Sequence, residues 1–167
     1  MIFILLILAI VCVEKKIKDY IESNKQYGDE KEILDGKIII NKHHNYGMML
    51  NFLEDKKELA LMIPSICLGG LLIIFAIVLT KKRSFLLKLG FSFLLGGAIS
   101  NIHDRVKRGY VVDYFSINKG KELKRLVFNI ADVFIFVGTI IIGIVSFFKL
   151  FSSEDSVERI NKSEINF

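Results

Sequence analysis

The chain has 167 residues, of which 52% are hydrophobic and 25% are charged, and it carries a net charge of +5 at pH 7. The length suits one domain, and the mean hydropathy of +0.46 excludes an ordinary soluble fold. The basic residues form no stripe with interleaved aromatics, so nucleic-acid binding is disfavoured and anionic lipid headgroups are the simpler partner.

Four apolar stretches predict four transmembrane helices, at about residues 1–20, 59–80, 85–103 and 128–150. Each of the last three is long enough to cross a hydrocarbon core of about 30 Å. The first could instead be a signal peptide, or a lipoprotein signal ending at Cys12. It lacks a basic n-region and a small-x-small cleavage site, and Val11 precedes Cys12, so we expect a retained membrane helix.

The polar segment between the first two helices predicts a small β-rich cap at about residues 36–57. The β-branched run from Lys37 to Asn41 favours a strand, and Asn45-Tyr46-Gly47 after it is typical of a turn. The expected fold class is therefore an all-α membrane protein, with four transmembrane helices and a small β-rich cap.

A single integral membrane domain is expected over residues 1–150, followed by a mobile tail at 151–167, which is polar and lacks apolar periodicity. Basic residues flank the predicted helices in both of the later loops, so the positive-inside rule alone leaves the orientation open.

Polar and charged residues gather where the third and fourth predicted helices end and begin: Asn101, Asp104, Arg105, Asp113, Asn129 and Asp132. Asp132 falls about one turn inside an apolar helix, where a carboxylate costs about 2.5–3.5 kcal/mol on insertion scales. It should therefore have a partner or a water-filled pocket. Asn129 shares its helical face, and Arg105 can pair with a carboxylate.

Asp113 lies in the apolar run Gly109–Tyr114, which can dip back into the membrane surface near the fourth helix. If Asp113 and Asp132 meet, repulsion and desolvation leave one proton shared between them. One is then the base and the other the acid, which allows water to attack an amide without a metal. On physics alone, hydrogen bonding across helices remains an alternative. A small transporter or assembly subunit that handles protons or cations remains another.

Histidine and cysteine give no support for a metal site. Cys12 and Cys67 lie in apolar segments without ligand spacing, and His43 and His44 have no carboxylate or cysteine at ligand spacing. We expect the two histidines to be loop residues, and we expect no metal and no cofactor.

The segments Asn101–Arg105, Gly109–Tyr114 and Phe128–Asp132 together resemble the signature of signal peptidase II, the bacterial lipoprotein signal peptidase, in order and spacing. Asn45-Tyr46-Gly47 resembles the family's Asn-x-Gly turn. Glu14 with Lys18 resembles its Asp-x-x-x-Lys pair, although a plain ion pair on a helix surface fits equally well.

The resemblance implies a multi-pass protein of the bacterial cytoplasmic membrane, with cytoplasmic termini and an active site near the outer face. It implies that Asp113 and Asp132 are the catalytic pair. The residues expected to bind substrate or support the site are Asn45, Gly47, Asn101, Asp104, Arg105, Asn129, Glu14 and Lys18. The substrate would be a diacylglyceryl-modified prolipoprotein, cut before the modified cysteine by a monomer surrounded by membrane lipids.

The sequence departs from the family pattern at a few positions. Glu14 replaces an aspartate, Ser100 a glycine, His103 an apolar residue, and Met48-Met49 replaces small residues. None of these changes removes a catalytic group, so an inactive relative is disfavoured and only the preference for substrates or inhibitors is open.

Overall fold

The structure is a computed structural model that describes residues 1–47, 55–119 and 126–164, with side chains described as far as residue 149. These ranges contain four helices: α1 (Ile2–Asn24), α2 (Lys57–Thr80), α3 (Phe85–Arg108) and α4 (Ile130–Glu164). They also contain four strands: β1 (Lys31–Ile33), β2 (Ile38–Asn45), β3 (Val111–Ile117) and β4 (Val127–Phe128). The strands form one antiparallel sheet in the order β1-β2-β3-β4. The described fold is mostly helical with a small antiparallel sheet.

The central helix is α3, because α1, α2 and α4 all pack against it. Apolar side chains from α1, α2 and α3 fill the space between them: Ile7, Phe75, Val78, Leu87, Phe91 and Leu95. A Cβ added to Gly97 of α3 would lie 2.3 Å from the carbonyl oxygen of Ala131, so α4 approaches α3 more closely than a side chain would allow. This glycine brings the end of α3 against the beginning of α4.

Three of the described helices are long and apolar enough to cross a membrane: Lys57–Thr80, Phe85–Arg108 and the part of α4 at Ile130–Lys149. In the most apolar 18-residue stretch of each helix, half of α3 is buried, but only 11% of α2 and 11% of α4 are buried. The helices α2 and α4 therefore direct most of their apolar side chains outward. The first helix, α1, is not among the three, because its uninterrupted apolar run ends at Val13. Of the four predicted spans, three have this support.

The sheet differs from the predicted cap at residues 36–57. Only β2 falls inside that range, while β1 begins earlier and β3 and β4 come from the segment between α3 and α4. Gly109 ends α3 in the left-handed conformation, with φ +81, and the apolar run that follows is strand β3 rather than a loop dipping into the membrane. Residues 48–54 of the predicted cap, including Met48-Met49, lie outside the described residues.

The last helix also has different bounds from those predicted. It begins at Ile130 instead of residue 128, which moves Asp132 into the first turn, and it continues past residue 150 to Glu164. The polar residues after position 150 include several good helix formers, whose intrinsic propensity favours continuation even without an apolar stripe. That residues 151–167 form a mobile cytoplasmic tail stays a prediction, and residues 165–167 lie outside the described range.

Candidate active site

Asp113 is a buried carboxyl in the middle of β3, with 2% of its surface exposed. Two amide groups donate to it. Asn45 Nδ2 donates to Oδ2 over 3.0 Å, and Asn129 Nδ2 donates to Oδ1 over 2.6 Å. Each carboxyl oxygen therefore has its own donor, which offsets part of the cost of burial.

A β-bulge allows Asn45 to reach Asp113. Ile39 pairs with Ser116 before the bulge, but His43 pairs with Asp113 after it, so β2 contains one extra residue between these pairs. One inserted residue moves the following side chains to the other face of a strand. Asn45, two residues beyond His43, therefore shares the face of Asp113 and lies diagonally from it across the ladder.

Asp132 belongs to a capping box at the beginning of α4. Asn129, the residue before the helix, accepts the Asp132 backbone N–H on Oδ1 over 3.0 Å. Its own backbone N–H donates to Asp132 Oδ2 over 3.1 Å. This reciprocal pair fixes the Asp132 side chain at the helix N-terminus, where the helix dipole favours a carboxylate.

The third helix supplies a further amide to the site. Asn101 Nδ2 donates to Asp132 Oδ1 over 2.8 Å, so both oxygens of this carboxyl are also occupied by donors. Asn129 bonds to both acids, through its side chain on Asp113 and its backbone on Asp132. Asn129 therefore holds Asp113 and Asp132 in the same site.

All three asparagines have their side-chain oxygen on a group that can only donate. Asn45 Oδ1 accepts the Gly47 N–H over 3.1 Å, and Asn129 Oδ1 accepts the Asp132 N–H. Asn101 Oδ1 accepts from Lys18 Nζ over 2.8 Å. Because a backbone N–H or an ammonium cannot accept, the opposite NH₂ of each amide has to face the carboxyl groups.

The two carboxyls differ in their surroundings. Burial, and next the charge of Asp132, raise the pKa of Asp113 from 3.8 to about 7, against the opposing effect of its amide donors. Asp113 therefore keeps its proton to a much higher pH than a free aspartic acid does. Asp132 is only half-buried, so solvent or substrate can approach it, while Asp113 sits behind it in the sheet.

A second layer of charge lies behind the asparagines, in α1 and α3. Lys18 Nζ lies 3.0 Å from Asp104 Oδ2 and 3.9 Å from Glu14 Oε1, and all three side chains are almost fully buried. Asp104 Oδ2 also accepts the Val112 N–H over 3.3 Å, which holds β3 against α3. The alternative interpretation of Glu14 and Lys18 as a plain ion pair on the helix surface is wrong, because both side chains are buried inside the bundle.

Tyr114 ties α1 to the beginning of α4. Its hydroxyl donates to Glu14 Oε2 over 2.9 Å and accepts the Ile130 N–H over 3.0 Å. Burial, and next the Glu14 charge, raise the pKa of Tyr114, so the phenol stays protonated and able to donate. Tyr114 was not among the residues predicted for the site, although its place next to Asp113 in a strand implies the opposite face of the sheet.

Arg105 bonds to the Asn-x-Gly turn rather than to a carboxylate. Its Nη2 donates to the Gly47 carbonyl over 2.7 Å, and Nη1 lies 3.5 Å from the Asn101 carbonyl. Its Nε is buried without a hydrogen-bond partner among the described residues. The guanidinium thus holds the Asn45-Tyr46-Gly47 turn against α3.

A separate polar cluster joins the end of α1 to the sheet. His44 Nε2 lies 3.0 Å from Glu22 Oε2, the Tyr110 hydroxyl donates to Glu22 Oε1 over 3.1 Å, and His44 stacks on Tyr110. His43 and His44 lie in β2, so their assignment to a loop is wrong. In the described part of the chain, no three His, Cys, Asp or Glu side chains are grouped to hold a metal ion.

Comparison with known proteins gives a consistent result. The family profile described as signal peptidase (SPase) II matches residues 6–148. The lipoprotein signal peptidase of Fusobacterium nucleatum subsp. nucleatum is 29% identical over 142 residues, which cover 85% of this chain and 84% of that protein. The lipoprotein signal peptidase of Lactiplantibacillus plantarum is 31% identical over 142 residues, which cover 84% of this chain and 91% of that protein.

The fold has solved counterparts as well. A bacterial membrane enzyme solved by the in meso method at 2.3 Å is similar with a TM-score of 0.77 and 29% identity, over 90% of both chains. A second one, solved at 1.9 Å, is similar with a TM-score of 0.73 and 29% identity, over 86% of this chain and 90% of its own. The structural similarity therefore extends over most of this chain.

Proposed function

This chain belongs to the signal peptidase II family and removes the signal peptides of prolipoproteins, and we propose that it does so as an aspartic endopeptidase. Its family and its apolar helices make it an integral membrane peptidase. The transporter alternative is not favoured, because both the profile and the relatives are peptidases.

The observation that supports an aspartic mechanism is the arrangement of Asp113 and Asp132 around Asn129. We call these two carboxyl residues the dyad. Both carboxyls contact Asn129, and each of their four oxygens accepts a hydrogen bond from an amide group. Because these donors are neutral amides and not cations, the arrangement suits proton transfer between the carboxyls and substrate. Asp113 is the member that keeps the shared proton, and Asp132 is the carboxylate that accepts one.

Hydrolysis would proceed in two steps. Asp132 takes a proton from water, the oxygen of that water attacks the carbonyl carbon of the scissile amide, and Asp113 gives its proton to the carbonyl oxygen. Asp132 then protonates the leaving nitrogen, Asp113 recovers a proton from the tetrahedral intermediate, and the C–N bond breaks. Both acids return to their initial states without a covalent enzyme intermediate.

The substrate class and the membrane arrangement are part of the proposal. The scissile bond would precede a diacylglyceryl-modified cysteine, whose acyl chains lie in lipid beside the outward apolar surfaces of α2 and α4. The sheet and the carboxyls would face the outer side of the bacterial cytoplasmic membrane, with both termini inside and a monomer as the active unit.

We also propose α1 as a fourth span. Its 23 residues extend about 34 Å at a rise of about 1.5 Å per residue, enough for the hydrocarbon core. Ile4, Leu5 and Leu8 are exposed on the outside of the helix, whereas Glu14 and Lys18 are buried inside the bundle. Ionisable residues in membrane helices usually face the interior of the bundle, where they pair with other polar groups.

The test is hydrolysis of a purified diacylglyceryl-modified precursor in detergent, followed by mass spectrometry of the products. Asp113→Asn and Asp132→Asn should each lower turnover by at least about 1,000-fold, since general acid–base steps contribute on this order. Asp55→Asn, which alters an exposed acid just before α2, is the matched control and should keep full turnover. Near-normal turnover by either dyad variant would refute the mechanism.

A further inference from the structure

Lys18 is fully buried, with no exposed surface, in the half of α1 that faces the carboxyl groups. Its ammonium contacts four groups, which are Asn101 Oδ1 at 2.8 Å, Asp104 Oδ2 at 3.0 Å, Ser100 Oγ at 3.4 Å and Glu14 Oε1 at 3.9 Å. The shortest of these contacts is to the amide that bonds Asp132. Among the described residues, Lys18 contacts neither Asp113 nor Asp132 directly, and it is linked to Asp132 through the Asn101 side chain.

The ammonium group decides which way the Asn101 amide points. An amide can rotate by half a turn with little change in shape, which would exchange its oxygen and its nitrogen. A lysine ammonium has only donors, so it accepts nothing from an NH₂ group. With Lys18 on one side, Asn101 has to present its oxygen there and its NH₂ to Asp132 Oδ1, 2.8 Å away.

We propose that Lys18 is a positioning residue for peptide hydrolysis, which locks the Asn101 amide so that its NH₂ faces Asp132 and keeps that group the proton acceptor. The inference rests on the proposed function, because it needs Asp132 to act as the base. If the amide turned, its oxygen would face the carboxylate and repel it. The shared proton would then be drawn to Asp132, and water would lose its acceptor.

The charged groups around Lys18 favour a positioning role over a role as the partner of a single carboxylate. The charged groups near it on each packed element are Glu14 of α1, Asp104, Arg105 and Arg108 of α3, Asp113 of β3 and Asp132 of α4. Arg108 Nε lies 3.3 Å from the other oxygen of Asp104, so that acid has a second cation. Asn101 Oδ1 has its hydrogen bond from Lys18. Loss of Lys18 therefore leaves Asp104 paired but frees the amide.

The experiment compares Lys18→Met with Lys15→Met in the full-length enzyme, using the lipidated precursor across a pH series. Methionine keeps an unbranched side chain, one atom shorter, and removes the donors. We expect kcat of Lys18→Met to fall by about 100-fold. KM should stay within about 3-fold, because a fully buried residue cannot touch substrate. The acid limb of the kcat profile should move to higher pH.

Lys15 is the matched control, because it lies in the same helix and forms an exposed ion pair with Asp19 at 3.0 Å. Lys15→Met should leave kcat, KM and the pH profile unchanged. A Lys18→Met enzyme whose kcat per folded molecule and pH profile are those of the wild type would overturn the proposal and leave Lys18 a purely structural group.

A second variant covers the case in which Lys18→Met does not fold. Lys18→Met with Glu14→Gln removes one buried charge of each sign, and the glutamine keeps an oxygen for the Tyr114 hydroxyl. We expect this double variant to fold and still to show the loss of kcat and the displaced limb. Restored kcat would overturn the proposal, because charge balance would then be the whole role of Lys18.

The aspartic mechanism and the positioning role of Lys18 can be rejected separately. Turnover by Asp113→Asn or Asp132→Asn would reject the aspartic mechanism whatever Lys18 does. Inactive dyad variants together with a normal Lys18→Met enzyme would reject only the positioning role.

Discussion

Asn129 contacts both carboxyls, and it does so with different atoms. Its side-chain NH₂ donates to Asp113, while its backbone N–H donates to Asp132 and its side-chain oxygen accepts from the Asp132 backbone. The same three bonds begin α4 and hold the dyad together. Removing the side chain would therefore cost the helix a cap as well as the site a donor.

At this scale, the pKa of Asp113 predicts how stability depends on pH. The folded chain holds a proton with a pKa of about 7, whereas an unfolded aspartate releases it near 3.8. Between these two pKa values only the unfolded state has released its proton, so each rise in pH favours unfolding. The free energy of unfolding should therefore decrease as pH rises from about 4 to about 7, and this contribution should be lost above that.

Thermal unfolding in detergent at about pH 5 and about pH 8 measures this difference. Asp113→Asn should show a smaller decrease in Tm across that range than the wild type, while Asp55→Asn should match the wild type. An unchanged decrease in Asp113→Asn would show that other groups cause it.

The residue types of the site could be predicted from the sequence, but their orientations could not. Asp113, Asp132, Asn101 and Asn129 stood out because polar groups beside apolar helices need partners. That each amide turns its NH₂ to a carboxyl follows only from the donor on its other side. For Asn101 that donor is Lys18, which lies 83 residues away along the chain.

At the scale of elements, the approach of α3 and α4 fixes the position of Asp132. A Cβ on Gly97 would lie 2.3 Å from the Ala131 carbonyl oxygen, one residue before the proposed base. Gly97→Leu should push the helices apart and destabilise the protein by about 1–3 kcal/mol, the usual cost of overpacking. It should also reduce turnover by more than the loss of folded enzyme explains.

Gly69→Leu is the control, because a Cβ at Gly69 of α2 meets nothing within 4 Å. Thermal unfolding and turnover of both variants in the same detergent give the comparison. Equal stability of the two variants would mean that the contact between α3 and α4 does not set the helix spacing.

The elements were predictable to different degrees. The helices follow from long apolar runs of the sequence. Strand β3 was missed because its first four residues are buried on both faces, so the alternation that marks a half-buried strand is absent. The start of α4 was placed too early, because the capping box of Asn129 and Asp132 was assigned to the helix interior.

At the scale of the whole molecule, the proposed topology puts the sheet on one side of the membrane and the turn between α2 and α3 on the other. Cysteine labelling would test this orientation. In a variant with Cys12 and Cys67 replaced by serine, a single cysteine is introduced at an exposed position, either Glu32→Cys in β1 or Arg83→Cys in that turn. An impermeant maleimide added to intact cells should label the cysteine at position 32 and leave the one at position 83 unlabelled until lysis. The opposite pattern would reverse the orientation.

The overall architecture depends on contacts that no short segment of sequence specifies. The sheet combines strands from two polar segments on either side of α2 and α3, and the bulge in β2 selects which face Asn45 occupies. Local patterns identify helices and turns, whereas strand register is set by partners distant in the chain. The resemblance of three motifs supplied the site, and the fold supplied its geometry.

The most direct test of a dyad that shares one proton is infrared spectroscopy of the purified enzyme over a pH titration, as wild type minus Asp113→Asn. A protonated-carboxyl band should be present in this difference at about pH 5 and decrease with a midpoint of about 7. A difference spectrum without such a band between about pH 4 and about pH 7 would mean that Asp113 is already ionised there, and would contradict the proposed mechanism.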